Sequence, residues 1–230
     1  MNKKSISIIV PVLNEEKIIE SFIENLLVKS FYKNDIIVVD GGSRDSTTNI
    51  LKKFSELRIF KSKKGRATQM NYGALKAKNE ILYFLHCDSI PPKNFDQIIF
   101  NQYTEGKEMG CFRMLFKGSH IFLKFSSFFT RFNYKICRGG DQSLYISKNL
   151  FKSLKGFNEK YTYCEDMEFI DRLYSYGKFN VIQQDIITSN RRFIENGTIK
   201  LQFHFTVIHT LRLLGYSAFK IKSYYEKYVK

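Results

Sequence analysis

Acidic residues stand at three places where a carboxylate could take part in a reaction. Asp40 and Asp88 each end an apolar run of strand type, and Glu165-Asp166 opens a run with helical spacing. A carboxylate at a strand end can accept hydrogen bonds from a base or ribose, or hold Mg²⁺ or Mn²⁺. An inward-facing carboxylate can act as a general base. These residue types predict a nucleotide site with acid–base chemistry beside it.

Each of these acids also has a plainer interpretation. Asp40 could close a turn before a helix, and Asp88 could cap a turn before Pro91-Pro92. Glu165-Asp166 could stabilise a helix through its dipole. Asp166 lies three and four positions before apolar residues of its helix, which predicts that it faces the protein interior. The inward orientation keeps the general-base interpretation open.

Glycines and arginines accompany the acids. Gly41-Gly42 would let the backbone approach a ligand closely. The segment Gly139-Gly140-Asp141-Gln142 could be a tight turn, or it could present its acid and its amide to sugar hydroxyls. Arg66 and Arg191-Arg192 are candidates for phosphate or base contacts, because guanidinium groups suit such partners. Each arginine could equally be a solvated surface residue.

Alternating strands and helices must position these residues. Four apolar runs predict strands at 6–10, 36–39, 58–60 and 81–85, and helical spacing separates them. Asn14 is predicted to be the N-cap of the first helix. Apolar strands separated by helices predict an α/β fold with a mostly parallel central sheet and helices on both faces. The chain lacks both the GxGxxG and the GxxxxGK phosphate loops.

The pattern changes after residue 90. We predict one domain over 1–230, in which 1–90 bind a nucleotide and 91–230 complete the site. Phe116 to Tyr134 are dense in Phe, Lys and Arg, which we interpret as core or acceptor-pocket lining, with peripheral membrane association through this segment or the C-terminal tail as the alternative. Leu201 to Tyr228 form an amphipathic, basic and aromatic tail that is expected to be helical on the acceptor side.

Charge leaves several classes of partner open. The net charge of +15 makes polyanions expected neighbours, so a nucleic acid, an anionic membrane surface and nucleotide phosphates are all candidates. The lysines are spread along the chain without a nucleic-acid motif, which disfavours that class. A nucleotidyltransferase is a further alternative. Neither a signal peptide nor a membrane span is evident, and four cysteines lack CxxC spacing, so we expect a cytoplasmic protein.

Five segments in this order resemble the family 2 glycosyltransferases of the GT-A fold. They are Pro11 to Glu15, Asp40 to Thr47, Gly65 to Ala74, Leu85 to Asp88 and Cys164 to Phe169. The GRA-Q-MN-GA pattern, the L-H-x-D and the GGDQ together resemble one bacterial subgroup. It is often called "transferase 2" and is associated by gene neighbourhood with radical-SAM and arsenosugar pathways.

The resemblance implies a role for each matching residue. Nucleotide-sugar binding would fall to Pro11, Asn14, Glu15, Asp40, Gly42, Arg66, Arg191 and Arg192. A divalent cation, Mg²⁺ or Mn²⁺, would bind at Asp88. Deprotonation of the acceptor hydroxyl for inverting transfer would fall to Asp166. The acceptor itself would meet Asp141, Gln142 and Glu165.

The chain departs from the family pattern at two places. His86 occupies the position of the first acid of the usual D-x-D, where it could ligate the metal or simply pack. Phe193 replaces the Trp of the Q-x-x-R-W pattern, and no Gln is placed correctly. The implied partners are a UDP- or GDP-sugar and a small-molecule or lipid-linked acceptor. Peripheral contact with the inner face of the membrane is compatible with them, and no nucleic acid is expected.

Overall fold

Eight strands form one sheet in this computed structural model, which describes residues 4–116 and 121–229. The strands are β1 Ser7–Val12, β2 Asp35–Asp40, β3 Leu57–Lys61, β4 Ile81–Phe84, β5 Ser89–Ile90, β6 Met109–Phe116, β7 Leu144–Ser147 and β8 Asn180–Thr188. Their order across the sheet is β3-β2-β1-β4-β7-β6-β8-β5. The pairs within β3-β2-β1-β4 and the pair β6-β8 are parallel, and the other three pairs are antiparallel. The prediction of a mostly parallel sheet is confirmed.

Ten α-helices occur among the described residues. They are α1 Ile19–Lys29, α2 Thr47–Leu51, α3 Arg66–Lys76, α4 Phe95–Thr104, α5 Ile121–Phe129, α6 Lys148–Ser153, α7 Glu165–Tyr176, α8 Arg191–Asn196, α9 Thr198–Leu213 and α10 Ala218–Tyr228. Short 3₁₀ turns lie at Lys135–Cys137 and Gly140–Gln142.

Both faces of the sheet are covered, because successive residues of a strand point to opposite sides. Ile8 and Val10 of β1 pack with α1 and α4 in one buried cluster. Ile9 packs with α3, α6 and α7 in a second cluster on the other face. The continuous burial of β1 is what a central parallel strand requires.

The prediction that Asn14 caps the first helix is wrong. The first helix begins at Ile19, after a turn, and Asn14 lies in a left-handed conformation with φ of 55°. Its Oδ1 accepts a hydrogen bond from the backbone N–H of Arg44 at 2.8 Å. Its own N–H donates to Ser43 Oγ at 2.9 Å. Asn14 therefore joins the loops that follow β1 and β2 instead of capping a helix.

A third apolar cluster lies beyond the sheet, between α5 and the C-terminal helices. Phe116, Leu123, Ile208 and Ile221 are among its buried members. The interpretation of the Phe-rich segment as core or pocket lining is wrong for most of its aromatic residues. Leu123 is buried, but the side chains of Phe125, Phe128, Phe129 and Phe132 are exposed.

Within the described ranges, no helix is both long enough and apolar enough to cross a bilayer.

Candidate active site

A cavity of about 620 Å³ opens at the carboxyl ends of β1 and β4. This is the edge where ligands bind in open α/β sheets. Its floor comes from the segments that follow these strands, and its far wall comes from α7, α9 and α10. The predicted site residues on its surface are Pro11, Glu15, Arg66, His86, Asp88, Asp141, Glu165, Asp166 and Arg192. Folding therefore brings together residues that are up to 181 positions apart in the sequence.

Asp166 and His86 form the closest acid–base pair in the cavity. Asp166 Oδ2 lies 3.7 Å from His86 Nε2, and both side chains are largely buried. Burial raises the pKa of Asp166, but the contact with His86 and the charge of Arg66 outweigh it and lower the pKa below its usual value. Burial and Arg66 lower the pKa of His86, yet Asp166 and Asp88 raise it overall. These shifts favour the ionised form of Asp166 and the protonated form of His86.

Glu165 sits beside this pair in a different state. Its side chain is buried, and burial together with the charge of Asp166 raises its pKa to about 7. Its Oε1 has no hydrogen-bond partner within the described part of the chain. A buried carboxylate oxygen without a partner is costly unless a ligand supplies the partner. Glu165 is thus poised to receive a hydroxyl or a cation.

Arg66 is the cation at the centre of the acidic wall. It is the first residue of α3, and its exposed surface opens into the cavity. Burial alone would lower its pKa, but the charges of Glu165, Asp166, Asp141 and Asp88 raise it further above its usual value. Burial and the charge of Asp88 raise the pKa of Asp141. The arginine therefore neutralises part of a crowded set of carboxylates.

Arg191 and Arg192 are the first two residues of α8, which follows β8. Arg191 Nη2 is 3.8 Å from Glu15 Oε2, although Arg191 itself is not part of the cavity wall. The Arg192 guanidinium donates to the Tyr225 hydroxyl and lies 5.7 Å from the centre of that ring. The segment that follows β8 is thereby tied to the segment that follows β1 and to α10.

Gly140 leaves room for the Asp166 carboxylate. A Cβ atom built on Gly140 would lie 2.1 Å from Asp166 Oδ2, whereas one built on Gly139 would meet no atom within 4 Å. Real Cβ contacts never come so close, so any side chain at 140 would displace the carboxylate. The glycine at 140 is required by this close approach.

Besides Arg191, four predicted site residues lie outside the cavity wall, namely Asn14, Asp40, Gly42 and Gln142. Asp40 Oδ1 accepts hydrogen bonds from the Ser43 N–H at 3.0 Å and the Ser43 hydroxyl at 2.6 Å, so here it makes the turn. Gly42 allows that turn with φ of +95°. Gln142 is buried, where its Oε1 accepts from Arg138 Nη1 at 2.6 Å. The functional roles predicted for these four residues stay predictions.

The far wall of the cavity contains residues that the sequence analysis missed. Tyr163 stacks on Tyr225 with ring centres 3.8 Å apart. Phe205, Ile208 and His209 line the wall from one face of α9. Their i, i+3, i+4 spacing is visible in the sequence, but nothing in it shows that this face turns toward the site. His209 Nδ1 is buried without a hydrogen-bond partner among the described residues.

Asp88 on the cavity floor is compatible with a divalent cation, although the described residues form no protein-only metal cage. No cluster of three or more His, Cys, Asp or Glu suited to a metal occurs over residues 4–116 and 121–229. Mg²⁺ commonly binds through one or two carboxylates and takes its other ligands from substrate phosphates and water. Asp88 can supply such a carboxylate. His86 is already paired with Asp166, which supports its packing alternative over metal ligation.

The model of the family described as "Glycosyl transferase family 2" matches residues 7–159 of this chain. The match covers β1 to α6 and ends before α7, so Glu165, Asp166 and the far wall of the cavity follow it.

Two similar proteins are also named as glycosyltransferases. "Glycosyltransferase GlyG" of Streptococcus pneumoniae is 29% identical over 106 residues, which cover 44% of this chain and 35% of the relative. "Probable glycosyltransferase YdaM" of Bacillus subtilis is 24% identical over 199 residues, which cover 75% of this chain and 47% of the relative. The matched part of this chain thus spans a third to a half of these relatives.

Solved structures share the fold. Staphylococcus aureus TarS in complex with UDP superposes with a TM-score of 0.69 at 19% identity, covering 80% of this chain and 60% of that one. The mannosyltransferase PcManGT of Pyrobaculum calidifontis, in complex with GDP-Man and Mn²⁺, gives a TM-score of 0.69 at 15% identity, covering 91% of this chain and 64% of that one. These likenesses confirm the predicted GT-A fold.

Proposed function

Because this chain belongs to glycosyltransferase family 2, we propose that it transfers a sugar from a nucleotide-diphospho-sugar to an acceptor hydroxyl. One observation carries the proposal. The cavity at the carboxyl ends of β1 and β4 gathers Asp88, Arg66 and Asp166 from three separate segments. A cation-binding acid, a phosphate-binding guanidinium and an ionised base are the groups that this reaction needs.

The proposed donor is a UDP- or GDP-sugar. Related structures were solved with UDP, UDP-GlcNAc and GDP-Man, which supports a nucleotide donor of this kind. Pro11 and Glu15 line the cavity at the end of β1, and Arg66 reaches it from α3. In this proposal they contact the nucleotide and its diphosphate. Asn14, Asp40 and Gly42 would then act by shaping the adjoining loops.

We propose that Asp88 holds Mg²⁺ or Mn²⁺ together with the donor diphosphate. A related structure contains Mn²⁺, which supports this cofactor. When bound, the cation would neutralise charge on the leaving diphosphate. Arg66 and Arg192 line the cavity and Arg191 lies near its Glu15, and in this proposal all three add to that neutralisation.

Asp166 is the proposed general base of an inverting displacement. Its lowered pKa keeps it ionised, and His86 fixes the orientation of its carboxylate. The acceptor hydroxyl gives its proton to Asp166 as its oxygen bonds to the anomeric carbon. The bond from that carbon to the diphosphate oxygen breaks on the opposite face, which inverts the configuration. A positioned base of this kind contributes roughly 10²–10⁴-fold to the rate.

The acceptor is proposed to lie between Glu165, Asp141 and the aromatic wall. Stacked rings such as Tyr163 and Tyr225 suit the apolar face of a sugar or a lipid-linked acceptor. Either acceptor is compatible with work in the cytoplasm or at the inner face of a membrane. Membership of the subgroup associated with radical-SAM and arsenosugar genes is also proposed, on the segments that resemble it.

The donor can be identified by thermal shift with UDP, GDP and their sugars, with and without Mn²⁺. We expect one nucleotide to raise the melting temperature, because a ligand that binds only the folded state stabilises it. If no nucleotide shifts the transition, the transferase proposal fails. Salt-sensitive binding to DNA or RNA without a nucleotide shift would favour the nucleic-acid alternative.

The base is tested by Asp166→Asn with the donor so identified. We expect kcat to fall by roughly 10²–10⁴-fold, while the nucleotide-induced thermal shift stays. Glu165→Gln is the matched neighbour and should mainly raise KM for the acceptor. Near wild-type turnover by Asp166→Asn would refute the assignment, and a larger kcat loss in Glu165→Gln would move the base to Glu165.

A further inference from the structure

Four phenylalanines form a patch on the outer side of α5 and the turn after it. Phe125, Phe128, Phe129 and Phe132 are exposed to 65%, 45%, 40% and 41%. The Phe125 and Phe129 rings pack edge to face with centres 4.9 Å apart, and Phe128 contacts Phe132 in the same way at 5.9 Å. These four residues, named here the α5 aromatic patch, make one continuous apolar surface. Continuous exposed patches of this kind mark interaction sites.

The exposure of the patch is fixed by the opposite face of α5. Leu123 and Ser127 are buried there, and Leu123 belongs to the third apolar cluster. The Thr130 hydroxyl accepts a hydrogen bond from the backbone N–H of Met114 on β6 at 2.9 Å. A rotation that buried the patch would break these contacts. The aromatic face is therefore held outward.

Positive charge surrounds the patch, and negative charge is absent from its segment. The sequence contains no Asp or Glu between Met109 and Gly140. The Arg131 guanidinium lies 3.8 Å from the centre of the Phe128 ring, and Lys124 is exposed on the same helix. An amphipathic helix with aromatic residues and Lys or Arg beside them matches the boundary between lipid headgroups and acyl chains.

We propose that the α5 aromatic patch docks on an anionic lipid bilayer. The phenyl rings would enter the headgroup and acyl boundary, and Lys124 and Arg131 would face lipid phosphates. Charge complementarity favours this occupant over an apolar protein surface, because acyl chains and anionic headgroups together match both parts of the patch.

The α5 aromatic patch is followed closely in the sequence by residues that line the cavity, so docking would affect the surroundings of the cavity. The chain runs from Phe132 through the turn at Lys135–Cys137 directly to Gly139 and Asp141, which line the cavity. Docking would thus hold the bilayer next to the acceptor side. This consequence rests on the proposed transfer reaction, whereas the docking itself does not.

Vesicle sedimentation of the purified full chain tests the proposal. We expect partition onto vesicles that mix phosphatidylglycerol with phosphatidylcholine, and much weaker partition onto pure phosphatidylcholine. Phe125→Ser should lower the partition coefficient by about tenfold, since that ring would no longer be buried in lipid. Lys124→Gln with Arg131→Gln should lower it by about tenfold as well and reduce its salt dependence.

Leu75→Ser is the matched control, because Leu75 is exposed to 69% on α3, away from the patch. It should bind vesicles like the wild type. Equal partition of Phe125→Ser and Leu75→Ser would overturn the proposal, and so would equal binding to neutral and anionic vesicles. Self-association that Phe125→Ser abolishes, without vesicle binding, would instead assign the patch to contacts between copies.

The nucleotide-induced thermal shift separates this proposal from the proposed function. Phe125→Ser should keep the shift of the wild type, which also shows that the variant is folded. A chain that binds nucleotide but not anionic vesicles contradicts only the docking. A chain that binds anionic vesicles through the patch but no nucleotide contradicts only the transfer reaction.

Discussion

Asp166 is placed by two neighbours that act in opposite ways. His86 Nε2 lies 3.7 Å from its Oδ2 and attracts it, and Gly140, which has no Cβ, leaves room for the carboxylate on the other side. An inward carboxylate without both neighbours would be free to turn away from the cavity. The position of the proposed base thus depends on three residues from separate segments.

The glycine pair before Asp141 gives a sharp test of this placement. Gly140→Ala should shift the Asp166 carboxylate, because the new Cβ would lie 2.1 Å from Oδ2. We expect kcat to fall by at least about tenfold, since small displacements of a catalytic group are costly. Gly139→Ala, which meets no atom within 4 Å, should keep wild-type kcat. The measurement is steady-state kinetics of both variants, and equal kcat values would contradict the placement.

His209 predicts how acid affects stability. Burial, helped by the charge of Arg212, lowers its pKa from 6.5 to about 4, against an opposing effect of Asp171. His209 takes up a proton near pH 6.5 in the unfolded chain but only near pH 4 in the folded protein. Its contribution to stability is therefore complete above pH 6.5 and is lost as the pH falls toward 4.

Urea unfolding of the wild type and His209→Gln at pH 7, 6, 5 and 4.5 measures this effect. The free energy of unfolding of the wild type should fall more steeply with acid than that of the variant. The difference should reach on the order of 3 kcal/mol, because one pKa unit corresponds to about 1.4 kcal/mol. Parallel profiles would show that His209 does not carry the dependence.

The predicted site residues that line the cavity share one property, which is that local sequence pattern predicts their positions. Asp88 lies four residues after the end of β4, and Asp166 lies in the first turn of the amphipathic helix α7, so local sequence pattern predicts the position of each. His209 and Tyr225 lack such a signal. Their approach to the cavity depends on how α9 and α10 return across the sheet, and that is a tertiary property. Asp40 likewise ends a strand, but its carboxylate accepts hydrogen bonds from the N–H and the hydroxyl of Ser43.

At the scale of elements, one side chain joins the two strands that lead into the site. Gln69 of α3 is buried, and its Nε2 donates to the carbonyl oxygens of Val12 and Val39 at 2.8 Å each. These carbonyls lie at the ends of β1 and β2. A Cβ on Gly41 would lie 2.9 Å from the Gln69 side chain, so that glycine makes room for the link.

Gln69→Met should destabilise the protein by about 1–3 kcal/mol. The substitution keeps the size of the side chain but removes one hydrogen bond from each of two carbonyl oxygens, of which Val12 O keeps its bond from the Gly41 N–H. Gln97→Met, the same change at a half-buried position of α4, should cost less than about 0.5 kcal/mol. Chemical denaturation of both variants measures the difference. Equal midpoints would mean that the link between β1 and β2 is dispensable.

The periodicity of apolar residues predicts the strands and helices of the first half of the chain, and it predicts the later elements less well. The run 81–85 predicts β4 at Ile81–Phe84, because a short apolar run at a sheet centre has few alternatives. The segment around α5 was misassigned, since hydrophobicity predicts burial in general but not on which face of a crowded helix. Asn14 was misassigned because a left-handed turn precedes α1.

The whole molecule combines a basic exterior with an acidic cavity. The net charge is +15, yet five carboxylates line the cavity against three Lys and Arg side chains. The proposed nucleotide diphosphate would be attracted to the protein as a whole and repelled by the carboxylates that line the cavity. A divalent cation would remove that conflict.

Removal of divalent cations should therefore weaken nucleotide binding. With EDTA, the thermal shift caused by the nucleotide should shrink by more than half, and Mn²⁺ should restore it. Asp88→Asn should bind nucleotide weakly with or without Mn²⁺. Asp185→Asn, whose acid pairs with Arg113 outside the cavity, is the control and should respond like the wild type. A shift that is indifferent to EDTA would contradict the cation site.

The family match ends at residue 159, and this boundary separates two parts of the cavity lining. The wall formed by Tyr163, Phe205, Ile208, His209 and Tyr225 lies entirely after it, whereas the strand ends that would meet a nucleotide lie before it. In the proposed function, most donor contacts thus fall before residue 160 and the aromatic acceptor wall falls after it, with Asp141, Arg191 and Arg192 as the exceptions. Recombination or chimera construction near codon 160 could exchange acceptor preference while the inherited donor preference is retained.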